Sequence, residues 1–233
     1  MNRILCLHSI SEQGMDPSKF KNLVETLELI GFEFCLPSEI DGKGNKIAIT
    51  FDDGYKDNYT VASQYLESKK IKAAIFIVTD FVLDMIEDKS KFGLKNLPSL
   101  DKADIEDLLN IGWELGFHTK SHINLYENSW DNIVSDFEEG HEEFVRLTGL
   151  SNNLIFAYPY GNLPINRAGF SDLLNEHNYA KSYTTRWGSD FSKSNYIDRV
   201  VIGDKDNLYW SLLKISGFVD VYGRVKWRGE RFV

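Results

Sequence analysis

The chain has little cysteine: Cys6 and Cys35 are its only two, both in apolar surroundings and without Cys-x-x-Cys spacing. That excludes a redox dithiol or a cysteine-ligated zinc site and leaves two buried thiols. Basic residues are outnumbered, 26 against 35 acidic for a net charge of −9, and no basic stripe interrupts the pattern. No nucleic-acid partner is therefore expected. Long apolar runs are missing as well. The longest, Ala73 to Val78, falls far short of the roughly 20 residues of a membrane helix, so no integral membrane segment is expected. The opening "MNRILCLHSI" has one early Arg and only a very short apolar run, which is not signal-peptide character, and a cytoplasmic location is the expectation. Without an internal repeat, a low-complexity tract or a Pro/Gly/Ser linker, residues 1–233 read as a single domain, a length that suits one α/β barrel.

What is present is alternation. Strand-like "RILCLHSI" leads to helix-like "PSKFKNLVETLELIG", with Pro17 suited to a first turn and Gly31 to a stop. "KIAITF", "DNYTVASQYLESKK" and "KAAIFIV" form a second unit, the last a continuous apolar run of the kind buried on both faces of a sheet. A long mixed connection, Asp80 to Pro98, has the character of a lid. Then come a helix capped by Ser99 or Asp101 and ending at Gly112, "WELGFHT", a helix opened by Ser129, "NLIFAYP", "INRAGFSDLLNEHN", "YAKSYTT", "YIDRVVIG" and a last helix around "NLYWSLLKISGF". About seven strands alternating with helices predict an α/β fold, a barrel or partly open barrel of parallel strands.

In parallel barrels the C-terminal strand ends carry the chemistry. Here they carry His8, the pair Asp52-Asp53, His118 with His122 four residues on, and Tyr158-Pro159-Tyr160-Gly161. Two histidines and a carboxylate make a common first shell for a divalent metal. Zinc is the conservative choice, while such nitrogen and oxygen ligands also accept cobalt, nickel or iron. Adjacent carboxylates on a continuing strand would point to opposite faces. At a strand end, with Gly54 to turn the backbone, one can bind metal while the other handles protons. His141, among glutamates, and His177, at a helix end, read as structural or solvated.

The stretches "TFDDG", "GFHTKSH" and "FAYPYG" resemble, in type, order and spacing, the first three motifs of the polysaccharide deacetylase family, also called NodB-homology or carbohydrate esterase family 4. The motif-bearing part runs from Ile47 to Gly161. The resemblance implies a distorted (β/α) barrel, a metal held by Asp53, His118 and His122, Asp52 as general base, and the backbone N–H of Tyr160, after Pro159, as oxyanion donor. It also implies an N-acetylated saccharide as substrate. Two features depart from the usual pattern. The late Leu-x-His motif that supplies the general acid is missing, since no histidine follows His177; "LHSI" instead resembles the start of the poly-N-acetylglucosamine deacetylase branch, and His8 is the expected acid. Ala157 stands where many members carry an arginine that pairs with the catalytic aspartate, leaving Arg199 or Arg186 to replace it. Trp187 is a candidate sugar-stacking surface, or an ordinary loop aromatic. The basic, aromatic tail from Tyr222 to Arg231 suits an anionic lipid-linked substrate or a plain surface tail. Competing functions are an O-acetyl esterase, a cyclic-amide hydrolase, or a silent carbohydrate-binding protein that retains the metal.

Overall fold

The computed structural model describes residues 1–186 and 196–220. Its strands are β1 (Arg3–Leu7), β2 (Glu33–Phe34), β3 (Lys46–Phe51), β4 (Ala74–Ile77), β5 (Glu114–Phe117), β6 (Leu154–Ala157), β7 (Tyr179–Thr184), β8 (Ile197–Asp198) and β9 (Val200–Val201). They form one sheet in the order β8-β7-β6-β5-β4-β3-β1-β9, with β2 beside β3. Every ladder between them is parallel. The expected (β/α) barrel is thus present. The last expected strand, "YIDRVVIG", splits in two: β8 pairs with β7 and β9 pairs with β1. One residue, Arg199, separates them, so a single extended segment spans the two edges and nearly closes the barrel. The short β2 had no alternating apolar pattern to announce it.

Around the strands lie α1 (Pro17–Leu29), α2 (Gln64–Ser68), α3 (Thr79–Val82), α4 (Lys102–Asn110), α5 (Trp130–Thr148), α6 (Arg167–Glu176) and α7 (Leu208–Ile215). Their ends follow the local chemistry. Asp16 caps α1 and Gly31, at φ 87°, ends its turn; Asp101, not Ser99, caps α4 through a reciprocal box with Asp104; Ser129 caps α5, and Gly149 terminates it at φ 73°. The segment before α2 is not α-helical: Asn58–Ser63 winds as a π-helix, a geometry frequent beside functional sites.

Side chains alternate between two cores. Outward from the sheet, Leu5, Leu7, Ile49, Phe51, Ile75, Ile77, Leu115, Phe117 and Phe156 pack under the helices. Phe117, Phe137, Phe144 and Phe156 meet there edge-on or tilted, with ring centroids 5.5–5.9 Å apart. Inward, Ile4, Ala48, Ala74, Phe76, Ile155, Ala157 and Tyr183 fill the barrel. On the same inward parity, two residues further along their strands, come Cys6 then His8, and Thr50 then Asp52. The apolar plug is therefore the floor on which the polar site stands.

Candidate active site

β3 ends at Phe51, and the next residues leave the strand at once. Asp53 has φ 77° and Gly54 φ 92°. The turn expected of Gly54 alone is shared by Asp53, whose left-handed backbone breaks the strand alternation and lets neighbouring carboxylates converge. Thr119, His122 and Tyr160 also have positive φ, at 67°, 60° and 57°. Non-glycine residues held there carry strain that the surroundings must impose, and such strain collects at functional sites.

The surroundings are visible. Asp136, on α5, accepts hydrogen bonds from the Lys120 and Ser121 backbone N–H groups and from the Ser121 hydroxyl, which fixes the loop between His118 and His122. Gly140, one turn on, lies so close to this loop that a Cβ would stand 2.8 Å from the Lys120 backbone nitrogen. Asn58 donates to the carbonyl of His8 at 2.8 Å, while Asp57 accepts from the Ile10 N–H and the Ser9 hydroxyl.

One oxygen of Asp53 and one ring nitrogen each of His118 and His122 lie within 4.8 Å of one another. His118 Nδ1–H donates to the Ala157 carbonyl at 2.7 Å and His122 Nδ1–H to the Phe92 carbonyl at 2.6 Å, because a carbonyl only accepts. Each ring therefore turns a bare Nε2 lone pair towards Asp53 Oδ1, at 3.7 and 3.6 Å. Burial pushes His118 down to about 4, against the upward pull of Asp52 and Asp53. His118 is neutral at pH 7, and its contacts with the aspartates are not ion pairs. Asp53 Oδ1 is buried and has no hydrogen-bond partner among the described residues. A buried carboxylate oxygen left bare between imidazole lone pairs fits a divalent cation, with both histidines oriented by backbone carbonyls as metal ligands usually are.

Beside this set, Asp52 is gripped by Arg199: Nη1 to Oδ1 at 2.6 Å and Nη2 to Oδ2 at 2.7 Å. The guanidinium is fully buried, also donates to Thr50 Oγ1 and the Thr184 carbonyl, and stacks 5.0 Å over Phe76. Desolvation would raise the Asp52 carboxyl, but the charge and hydrogen bonds of Arg199 overcome it and hold the group well below the usual carboxylate range. Of the two replacement arginines considered, Arg199 makes the pair; Arg186 is buried near Tyr158.

His8 reaches the same place. One of its ring nitrogens, an Asp52 oxygen and Cys6 Sγ lie within 4.8 Å of one another. That trio could hold a cation by composition, but the Arg199 guanidinium already sits on Asp52, and burial keeps the Cys6 thiol far above its ordinary pKa, in its neutral form. Tyr160 stands at the rim, its ring 4.5 Å from that of His122 and its hydroxyl donating to Phe92 O at 2.8 Å. Pro159 before it is buried. The 80–98 connection thus does cover one side of the mouth: its Phe92 carbonyl serves both His122 and Tyr160, and its Lys95 binds Asp204 and the Gln13 carbonyl. Trp187 and the 222–231 tail lie outside the described residues. His141 and His177 pair elsewhere, ring centroids 4.4 Å apart, with His141 Nδ1 bonded to the Tyr179 hydroxyl. The sequence marks Cys6 only as a buried thiol and does not announce its partnership with Asp52, although its parity with His8 signals an inward side chain.

A parallel (β/α) barrel that gathers carboxylates and histidines at the C-terminal mouth of its strands defines the barrel-enzyme class of site. Comparison sharpens this: the sequence profile of the polysaccharide deacetylase family matches residues 39–180, and the chain belongs to that family, a family of hydrolytic deacetylases. It is similar to the peptidoglycan-N-acetylmuramic acid deacetylase PdaA of Bacillus subtilis, 27% identical over 120 residues, which are 51% of this chain and 40% of that protein. The chain thus matches well under two thirds of that relative's length. Its fold is similar to the Streptococcus pyogenes deacetylase PplD in complex with acetate (TM-score 0.73, 19% identity, 91% of this chain and 96% of that one). It is also similar to IcaB from Ammonifex degensii (TM-score 0.72, 19% identity, 93% and 96%).

Proposed function

We propose that the chain is a metal-dependent hydrolase that removes N-acetyl groups from an acetamido sugar, in a glycan, a lipid-linked saccharide or a nucleotide sugar, in the synthesis of cell-surface polysaccharide. The observation that carries this reading is the bare Asp53 Oδ1 between the Nε2 atoms of His118 and His122, next to a separate, arginine-held Asp52. Asp53, His118 and His122 would hold one divalent ion, zinc being the conservative choice and cobalt, nickel or iron also compatible. When bound, such an ion supplies Lewis-acid activation of water and of the acetyl carbonyl.

The chain's own groups do the rest. Asp52, kept ionised by Arg199, takes a proton as the water oxygen bonds to the acetyl carbon. The Tyr160 backbone N–H, by resemblance, donates to the resulting oxyanion, a contact worth about 3–4 kcal/mol. His8, across Asp52, gives a proton to the sugar nitrogen as the carbon–nitrogen bond breaks, leaving acetate and a free amine. An amine is a far poorer leaving group than an alcohol unless it is protonated, so a histidine placed beside Asp52 favours the amide over the ester.

The test pairs two variants. Asp52→Asn should keep metal and lose about 10²–10⁴ in turnover, whereas His118→Ala should lose metal and turnover together. Sugar binding without acetate release by the metal-loaded wild type would instead support a silent binding protein.

A further inference from the structure

Cys6 takes no part in the proton transfers proposed above, yet it touches the group at their centre. Its Sγ lies 3.3 Å from Asp52 Oδ2 and is wholly buried. A carboxylate only accepts, so the thiol donates. Among the described residues, Oδ2 therefore has two donors, Arg199 Nη2 and Cys6, while Oδ1 has Arg199 Nη1 alone. A planar arginine–carboxylate fork is nearly symmetric and fixes the plane of the carboxylate better than its lateral position. A third donor on one oxygen removes that symmetry. Cys6 is itself placed rigidly, since its strand pairs it with Thr50, whose hydroxyl accepts from the same Arg199 and donates to the Leu5 carbonyl.

We propose that Cys6 is a positioning residue for the base: its S–H, acting with Arg199, fixes the Asp52 carboxylate towards the Asp53–His118–His122 set. This rests on the deacetylase reading and deepens it. Sulfur suits the place because it fills a buried apolar floor like a small hydrophobe while still offering a weak donor. Two substitutions separate the donor from the filler. Valine matches the packing and donates nothing; serine donates and packs less well.

The experiment measures acetate release, metal affinity by competition with a chelator, and urea midpoints for the metal-loaded wild type, Cys6→Val and Cys6→Ser. The positioning role predicts that Cys6→Val loses about five- to tenfold in kcat, the rate equivalent of one modest hydrogen bond. KM and metal affinity should stay unchanged, and Cys6→Ser should regain most of the rate. A filler alone predicts the reverse order, with Cys6→Val as active as wild type and Cys6→Ser impaired. An infrared measurement independent of turnover accompanies these: in a Cys35→Ala background the Cys6 S–H stretch should be shifted down by its carboxylate acceptor and should move up on Asp52→Asn. A band that does not move, or an active Cys6→Val beside an active wild type, overturns the role of Cys6 alone. A metal-loaded wild type that releases no acetate overturns the deacetylase reading and the role with it.

Discussion

Arg199→Met removes the guanidinium while keeping much of its buried stem, and the structure sets the scale of the loss. Asp52 is only 4% exposed at its side chain and its partner 0%. Without Arg199, the carboxylate keeps only the weak Cys6 S–H among the donors of the described residues. Stripping one partner from a buried ion pair costs about 3–5 kcal/mol, a large share of the roughly 5–15 kcal/mol that holds a domain folded. With a urea slope of about 2–3 kcal/mol/M, the midpoint should fall by about 1–2 M, followed by tryptophan fluorescence in chelator-treated protein.

The deficit should depend on pH in a definite direction. In the wild type the folded Asp52 pKa is depressed, so its stabilisation is complete above the unfolded value near 4 and is lost as pH falls through the folded value. In Arg199→Met desolvation wins, the folded pKa rises above the unfolded one, and the penalty is greatest at neutral pH and fades as the carboxyl protonates. Wild type and variant should thus draw together as pH falls towards about 4, where the variant's penalty fades, and further below it, where the wild type loses its own stabilisation. Adding Asp52→Asn to Arg199→Met should recover about 2 kcal/mol at pH 7 as a coupling energy. A loss below about 1 kcal/mol, or one that does not change with pH, would refute the claim that Arg199 serves to hold Asp52 ionised.

Other perturbations probe the rest of the site. His8→Ala should lower turnover by about 10²–10⁴ while metal stays bound; unchanged turnover would remove His8 as the acid. Gly140→Ala drives a methyl into the Lys120 backbone of the His118–His122 loop, at a cost of about 1–3 kcal/mol, and should weaken metal affinity, read by chelator competition. Phe92→Pro would disturb the carbonyl that orients His122 and Tyr160, so metal should be lost faster from that variant than from the wild type.

The sequence carried the barrel because strand and helix periods alternate cleanly, and it carried Asp53, His118 and His122 because they follow the C-terminal ends of two strands, β3 and β5. Three features were not legible. That Asp53 itself adopts the left-handed turn depends on packing by its neighbours, which residue type does not encode. The choice of Arg199 over Arg186 depends on the break between β8 and β9, where a single inward residue spans the closing edges; linear spacing gave both arginines equal standing. The Phe92 carbonyl that serves His122 belongs to a backbone group in an irregular connection, and a backbone carbonyl leaves no trace in residue identity. Cys6 differs from these, since the two-residue period that aims His8 inward aims Cys6 inward too.

The central claim is that one metal set and one separate proton acceptor act on an acetamide. Its most direct test is acetate release, with free amine measured alongside, after metal reconstitution, from a panel of N-acetylated and O-acetylated saccharides. The account predicts acetate and equimolar amine from N-acetylated sugars, abolished by Asp52→Asn at full metal occupancy. Release from O-acetyl esters alone, or none from any saccharide by fully metal-loaded protein, would contradict it.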